Sequence, residues 1–433
     1  MIKFKNMKKI IILNLLLTSS LFSQDYYYEK YAPFDENIKS PEEFLGYAIG
    51  EMQTRHDLIV SYMEYLSNVS DKAQILHYGE TYEKRKLVIL AISSSDKILE
   101  LEKIREYHIS YLDPEHPNYS EESKPEDLPV IINLAYSVHG NEPSTSEAAL
   151  LTAYTLIGSK SDEISKYLSE SIILIDPTLN PDGRDRHTHW VNTYKGAPLV
   201  DDPQDAEHNE YWPGGRTNHY WFDLNRDWYL GIHPESRSKL KWYHSWKPNV
   251  TADFHEMGTN STYFFVPFKP NGSLNPVIPK ENYEYFNFLF GSYFAEALDE
   301  IGTLYFTREI FDRTYPGYGS AYPDYLGGIG LLFEQASSRG FKQKTQFGEI
   351  TFPFTIKNQY VSGMTTVKAS VANKEKLKDY QSNFYKSAIT DSSRKKVRGY
   401  IFNEGNDKNK TKAFIDKLKI HDIKVLKDKD QFY

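Results

Sequence analysis

Cysteine is absent from the sequence of 433 residues. Its absence excludes disulfide bonds, a lipid anchor on cysteine and a thiolate metal site, so any metal must be held by His, Glu or Asp. The chain also has no excess of basic residues, because 51 Lys and Arg face 59 Asp and Glu, a formal net charge of -8. Binding of nucleic acid needs a concentrated basic face, and we therefore expect no nucleic-acid partner.

Long apolar runs are confined to the first 23 residues. Lys3, Lys5, Lys8 and Lys9 precede the apolar run IIILNLLL, and small and polar residues follow it, which is typical of a secretory signal peptide. The run is shorter than the ~20 residues that a helix spanning a bilayer needs. We expect residues 1–23 to be a signal peptide, the mature chain to be periplasmic or extracellular, and no stable membrane insertion after cleavage.

The apolar content of 40% is enough for a full hydrophobic core. Four short runs, PVIINLAYS, SIILIDPTL, NVTADF and GIGLLFEQ, each have the pattern of a buried strand, with helical or loop material between them. This alternation predicts an α/β fold with a mixed, largely parallel twisted sheet flanked by helices.

The composition becomes rich in Lys and Asp beyond about Asn373, and KKVRGYIFN, DKNKTKAFIDKLKI and HDIKVLK follow as a strand, helix and strand pattern. A single unit of this kind cannot bury both of its faces. We therefore expect one domain over residues 24–372, and a linker with the beginning of a second, truncated α/β domain over residues 373–433.

Polar residues follow each of the four predicted strands. HGNE comes after the first strand and NPDG after the second, while His255 ends the third and Glu334 ends the fourth. Ligands of open α/β sheets bind outside the carboxyl ends of the strands. Four separate segments are thus expected to meet at one edge of the sheet.

His139 and Glu142 form an HxxE pair on the turn after the first of these strands. Zinc accepts imidazole nitrogen and carboxylate oxygen, and a catalytic site usually has three protein ligands. An HxxE pair alone is common by chance, and a third ligand is required. His255 is the best placed residue to be the third ligand.

Five motifs of this chain occur in the order found in the zinc carboxypeptidase family, which includes the pancreatic carboxypeptidases: His139, Glu142, the segment RTNHYWFDLNRDW, His255 in TADFHEMG and Glu334 in LLFEQAS. The sequence resembles this family over residues 129–334, as an exported bacterial member would. The resemblance implies one Zn²⁺ ion bound by His139, Glu142 and His255. It also implies Glu334 as the general base that activates water, and a peptide or protein as the substrate.

The same resemblance implies roles for the polar segment FDLNRDW. Asn225 and Arg226 match the residues that hold the terminal carboxylate of a substrate, which would make the protein an exopeptidase. Asp223 matches a carboxylate that orients a zinc-binding histidine.

An arginine of the family polarises the scissile carbonyl group. Arg216 matches it best, seven residues before Asp223, with Arg184 and Arg186 as competing candidates because they follow NPDG directly.

The family also has a mobile tyrosine upstream of the catalytic glutamate. In TYPGYGSAYPDY the Gly-Ser step aligns this residue with Tyr315, but the spacing to the glutamate does not match cleanly, so Tyr318 and a packing role both stay open. Ala321 falls near the position that sets side-chain specificity, and Asp324 would select a basic residue there if the loop were shifted.

Residues 184–215 are rich in His, Trp, Asp, Pro and Gly and predict a long loop near the site. We interpret the histidines in or beside this loop as solvent-exposed rather than as a second metal site: His187, His189, His208 and His219. Glu256 is excluded from the ligands because it would point away from His255 on an extended strand.

Two other functions are compatible with the same residues. A zinc amidohydrolase would act on cell-wall peptides or acylated amino acids, since a fold does not determine the substrate. A catalytically inactive peptide-binding protein would lack a ligand or the base, whereas all of them are present in this sequence. The side-chain preference and the oligomeric state are left open.

Overall fold

The computed structural model describes residues 26–120, 128–397, 399–402 and 407–427. The signal peptide predicted for residues 1–23 lies outside the described residues. Among the helices of the described ranges, none combines the length and apolar character needed to cross a bilayer.

The bounds of the elements are as follows. The strands are β1 Ala73–Glu80, β2 Lys86–Ile92, β3 Val130–Tyr136, β4 Ser171–Asp176, β5 Val250–Met257, β6 Tyr263–Phe265, β7 Tyr305–Phe306, β8 Ile329–Ala336, β9 Lys342–Thr345 and β10 Gly348–Thr351. The α-helices are α1 Pro41–Leu45, α2 His56–Val69, α3 Ser95–Leu99, α4 Leu101–Leu112, α5 Ser144–Gly158, α6 Asp162–Glu170, α7 Pro181–Tyr194, α8 Pro234–Trp246, α9 Asn287–Glu300, α10 Phe352–Ala372, α11 Lys374–Arg394 and α12 Lys408–Ile420. Short 3₁₀ turns span Glu29–Tyr31, Ala206–His208, Leu224–Arg226 and Tyr322–Leu326, and a π-helical turn spans Asn282–Phe286.

The described residues form an eight-stranded sheet in the order β1-β2-β4-β3-β5-β8-β6-β7, and β9 and β10 form a separate hairpin. The central strands β4, β3, β5 and β8 are parallel. Strand β2 pairs antiparallel with β1 and β4, and β6 pairs antiparallel with β8 and parallel with β7. These four central strands are the ones that the apolar runs predict. Their runs are continuous because a central parallel strand is buried on both faces. The predicted mixed, largely parallel sheet flanked by helices is confirmed.

The two faces of the sheet pack against different helices. Along β4, Ile173 and Ile175 join the core beneath α2, α5 and α10, whereas Ile172 and Leu174 join a second core beneath α4 and α8. Successive strand residues alternate between the faces, which divides the apolar run in this way. Helix α5 is buried along its whole length, including the polar residues of its first turn.

The C-terminal segment agrees with the sequence prediction only in part. Its predicted helix is present as α12, but residues 396–397, 399–402 and 421–427 contain no strand. The strands predicted there are therefore absent from the described residues, and Val397, Tyr400 and Ile401 are exposed instead of paired. Helix α11 packs Leu377 and Tyr380 into the main core. The division into two domains at residue 372 stays a prediction.

The four polar segments meet as their strand order requires. Because β4, β3, β5 and β8 are adjacent and parallel, their carboxyl ends lie along one edge of the sheet. His255 on β5 is paired directly with Glu334 on β8.

Candidate metal centre and active site

The three predicted metal ligands converge in the structure. His139 and Glu142 lie on the turn between β3 and α5, where the backbone N–H of Glu142 donates to the carbonyl of His139 at 3.2 Å. The Glu142 carboxylate oxygens lie 2.8 Å from His139 Nδ1 and 2.9 Å from His255 Nδ1, and the two Nδ1 atoms are 3.2 Å apart. All three side chains are buried. Two nitrogen donors and one carboxylate therefore point at a common position.

Both histidines turn Nδ1 towards this position and Nε2 towards a carboxylate. Nε2 of His139 lies 2.9 Å from Asp223 Oδ1, and Nε2 of His255 lies 2.9 Å from Asp253 Oδ2. A carboxylate at Nε2 favours the tautomer that carries its hydrogen there, which leaves the Nδ1 lone pair free for a metal. The donor set and its orientation thus fit a zinc ion.

Asp253 is a site residue that sequence reasoning missed. It lies two residues before His255 on β5, so both side chains are on the same face of the strand. That spacing in TADFHEMG is the signal that could have identified it. A Cβ atom at Gly319 would come within 2.7 Å of Asp253 Oδ2, so glycine is needed where the loop passes this carboxylate.

The electrostatics of the centre keep its carboxylates ionised. Burial acts to raise the pKa of Glu142, but the neighbouring His139 and His255 hold it well below its ordinary value. Burial likewise acts against the charged form of Asp223, yet its hydrogen bond to His139 and the nearby Arg216 hold its pKa far below the usual range. Glu142 is therefore in the form that a metal ligand requires.

Glu334 lies on the last strand of the cluster, opposite His255. Along β8 it is the single residue that is only partly buried, so its side chain opens towards solvent at the edge of the sheet. Desolvation raises the pKa of Glu334 to about 7, although the neighbouring His255 acts to lower it. A carboxyl group with such a pKa both takes up and releases protons near neutral pH.

Of the three candidate arginines, Arg216 lies at the ligands. Its Nη1 is 3.3 Å from His139 Nδ1 and 3.6 Å from Glu142 Oε1, and its Nη2 donates to Asp223 Oδ2 at 2.8 Å. The side chain is 44% exposed, so a substrate can reach it.

The two competing arginines form hydrogen bonds with groups outside the metal centre. Arg184 is fully buried and donates to Glu147 Oε1 at 2.6 Å and to the carbonyl of Pro143 at 2.8 Å. Arg186 donates to the carbonyl of Gly214 at 2.7 Å.

Asn225 and Arg226 lie beside the centre in different environments. The Asn225 amide is buried, with Oδ1 accepting from the Gly319 N–H at 2.7 Å and Nδ2 lying 3.1 Å from His255 Nε2. Oδ1 of this amide is thus engaged within the protein. The Arg226 side chain is about half exposed, and its guanidinium lies 4.7 Å from the centre of the Tyr318 ring.

Both candidate tyrosines adjoin Arg226. The Tyr315 hydroxyl donates to the carbonyl of Arg226 at 3.0 Å, and the rings of Tyr315 and Tyr318 meet edge to face at 5.2 Å. Both tyrosines thus lie beside Arg226, and the choice between them stays a prediction.

The two specificity candidates are both internal. Ala321 is completely buried. Asp324 is also buried, where it accepts from Arg313 Nη1 at 2.8 Å and from the Gly330 N–H at 2.8 Å. It is therefore not available to select a basic substrate side chain.

The loop predicted from residue 184 begins only after α7, so the loop prediction is wrong as far as Tyr194. The sequence NPDG starts this helix, because Asn180 accepts from the N–H of Gly183 at 3.0 Å and Pro181 occupies the first turn. His187 and His189 are therefore helical. His187 and His208 are also buried rather than exposed, with His187 Nδ1 2.7 Å from Glu210 Oε2 and His208 Nδ1 2.8 Å from the carbonyl of Asp202.

Two further side chains considered from the sequence lie off the centre. Glu256 accepts from the N–H of Ser144 at 2.8 Å, so it points away from His255 as expected. His219 forms a cluster with Glu83 and Asp182, and Arg85 forms ion pairs with both of these carboxylates.

Comparison with known proteins gives one family match. Residues 59–266 match the family model described as zinc carboxypeptidase. This range contains all three candidate ligands and the segment from Arg216 to Arg226, and it ends before Tyr315 and Glu334. No curated protein matches the sequence.

Solved structures of similar proteins are distant in sequence. Carboxypeptidase A from Helicoverpa armigera is 15% identical with a TM-score of 0.49, covering 86% of this chain and 87% of its own. A metallo-carboxypeptidase from Burkholderia cenocepacia is 13% identical with a TM-score of 0.47, covering 72% of this chain and 68% of its own.

Proposed function

We propose that this chain, in which residues 59–266 match the zinc carboxypeptidase family model, is an exported enzyme that removes the C-terminal residue of peptides. The observation that carries this proposal is the convergence of His139 Nδ1, His255 Nδ1 and the Glu142 carboxylate, with separations of 2.8 to 3.2 Å. Of the two groups of candidate metal donors in the described chain, this is the one that contains two histidines.

His139, Glu142 and His255 would hold one Zn²⁺ ion, with the carboxylates of Asp223 and Asp253 fixing the two imidazole rings. When bound, the ion supplies Lewis acidity, which lowers the pKa of water and polarises a carbonyl group. The remaining chemistry is carried out by side chains of this chain.

Glu334 is the proposed general base. Its carboxylate takes a proton from the attacking water and delivers that proton to the nitrogen of the departing residue. The pKa of about 7, set by burial, suits both transfers near neutral pH. Its position opposite His255 on the neighbouring strand keeps it beside the ligands.

Arg216 is the proposed donor to the scissile carbonyl oxygen. The hydrogen bond from its Nη2 to Asp223 holds the guanidinium plane, and Nη1 faces the ligands. A donor of this kind typically contributes ~3–4 kcal/mol to lowering the barrier, because it stabilises the negative charge on the oxygen.

Arg226 is the proposed anchor for the substrate's terminal carboxylate. Its guanidinium offers paired donors that match a carboxylate, and it is accessible from solvent. Asn225 is also a predicted substrate contact, but its amide holds Gly319 and so supports the loop that carries Tyr315 and Tyr318.

The proposal is tested with peptides that differ only in having a free or an amidated C-terminus. The free peptide should be shortened by one residue in a zinc-dependent reaction, and the amidated peptide should be resistant because Arg226 has no charge to bind. Equal cleavage of both would contradict the exopeptidase assignment. Products formed only from muropeptides or acylated amino acids would favour the amidohydrolase alternative.

Export is tested separately by mass spectrometry of the mature protein. If residues 1–23 are a signal peptide, the periplasmic or secreted chain should begin at about Gln24.

A further inference from the structure

Large aromatic side chains are exposed between Glu210 and Asp223, next to the proposed active site. We name this set the aromatic ridge: Tyr211, Trp212, Tyr220, Trp221 and Phe222. Trp212 is 76% exposed and Trp221 is 55% exposed, although their rings contact each other at 4.8 Å. A group of exposed aromatic side chains of this kind commonly marks a binding surface.

The beginning of the ridge is tied to the metal-binding turn. Asn141 lies between His139 and Glu142, and its Nδ2 donates to Glu210 Oε1 at 2.7 Å. The other carboxylate oxygen of Glu210 accepts from the Gly215 N–H at 3.0 Å. Trp212 is two residues from Glu210, which places the two Cα atoms within ~7 Å.

The end of the ridge is tied to the same turn through Asp223, which contacts His139 Nε2 at 2.9 Å. Trp221 is two residues before this aspartate. Asn218 fixes the turn between them, because its Oδ1 accepts from the N–H groups of Tyr220 and Phe222, both at 3.1 Å. Both ends of the ridge are therefore held against the active site.

Trp221 has a φ angle of +66°, a conformation that bulky side chains rarely adopt. Strain of this kind is found where the surrounding structure imposes it, often at ligand-binding positions. Here it directs a tryptophan ring outward, while hydrogen bonds from Asn218 hold the turn around it. The ridge is thus a preorganised surface and not a frayed loop.

We propose that the aromatic ridge binds apolar or aromatic side chains of the substrate on the N-terminal side of the scissile bond. This inference rests on the proposed function. Arg216, the proposed contact to the scissile carbonyl, lies between Trp212 and Trp221 in the chain, and substrate residues that precede the scissile bond would pass these rings. The Trp212 and Trp221 planes meet at 52°, so the two rings do not form the flat platform on which a sugar ring stacks.

The test compares the wild type with the double variant Trp212→Ala/Trp221→Gly, in which glycine suits the positive φ angle at residue 221. The control is Phe288→Ala on α9, which removes a ring that is 50% exposed on a helix remote in sequence from the ridge. Three substrates are used: a blocked dipeptide, a hexapeptide with Phe upstream of the scissile bond, and the same hexapeptide with Ser in place of Phe.

For the double variant we expect kcat/KM on the Phe hexapeptide to fall about tenfold, mainly through KM, since buried aromatic contacts contribute on this scale. The dipeptide and the Ser hexapeptide should change less than about twofold, as should every substrate with the control variant. An equal loss on the dipeptide would show that the ridge only supports the metal-binding turn. An unchanged KM on the Phe hexapeptide would also overturn the inference.

Failure of the proposed function is recognised separately, because the wild type would then hydrolyse none of the three substrates. Calorimetric binding of the Phe hexapeptide to Glu334→Gln protein still decides the inference in that case. Binding that is lost with the double ridge variant supports it, and binding that is unchanged overturns it. Binding of a glycan-bearing muropeptide without binding of the hexapeptide would also overturn it.

Discussion

Replacement of Asp253 by Asn perturbs the metal centre indirectly. Asp253 contacts the ring nitrogen of His255 that faces away from the metal position. Asp253 Oδ2 lies 2.9 Å from His255 Nε2, and the residue is only 1% exposed. Asn keeps the size of the side chain and removes its charge. The N–H of His255 then faces a neutral amide, so both the tautomer and the electron density at Nδ1 are less well supported.

The magnitude follows from the kind of hydrogen bond that is lost. A hydrogen bond to a charged group contributes ~1.5–3 kcal/mol, and a neutral one contributes ~0.5–1.5 kcal/mol. Because Asp253 is buried, solvent does not screen the difference. A loss of about 1–2 kcal/mol corresponds to zinc binding that is roughly 5- to 30-fold weaker.

The assay is competition for zinc between the purified protein and a chelator of known affinity. Glu256→Gln is the matched control, because Glu256 is a buried carboxylate on the same strand that bonds Ser144 on the opposite face. Its zinc affinity should stay at the wild-type value. Unchanged affinity of Asp253→Asn, or an equal loss in both variants, would refute the assignment of Asp253 to the metal centre.

Three further results are expected. Glu334→Gln should lower kcat by about 10²–10⁴-fold with one zinc still bound per chain, measured by steady-state kinetics and metal analysis; zinc loss would instead indicate a structural role. Arg226→Lys should raise KM about tenfold for free C-termini, because the paired donors are lost, and an unchanged KM would contradict the anchor. Burial lowers the pKa of His108 to about 4, so its imidazole is protonated at higher pH in the unfolded chain than in the folded protein. The free energy of unfolding therefore falls by about 3 kcal/mol as pH drops from about 6.5 to 4. His108→Gln should flatten this fall in urea titrations, and an identical pH profile would argue against it.

The sequence by itself determined the middle of the fold. Strands β3, β4, β5 and β8 were predictable because burial on both faces requires continuous apolar runs. The metal ligands were predictable from the order of their motifs, since strand ends must meet at one edge. Helix α7 was missed because its polar and aromatic residues obscure the apolar period, although its capping residue Asn180 was visible in NPDG.

Only the tertiary structure decided which side chains of like chemistry serve the site. Arg184 and Arg216 carry the same charge, but Arg184 is neutralised by Glu147 in the core and Arg216 faces the ligands. Asp324 likewise forms an ion pair with Arg313, whereas Asp253 contacts the metal ligand His255. The pairs Arg184–Glu147 and Arg313–Asp324 join residues with no shared period or motif, so the burial and the partner of a side chain, and not its residue type, determine its role.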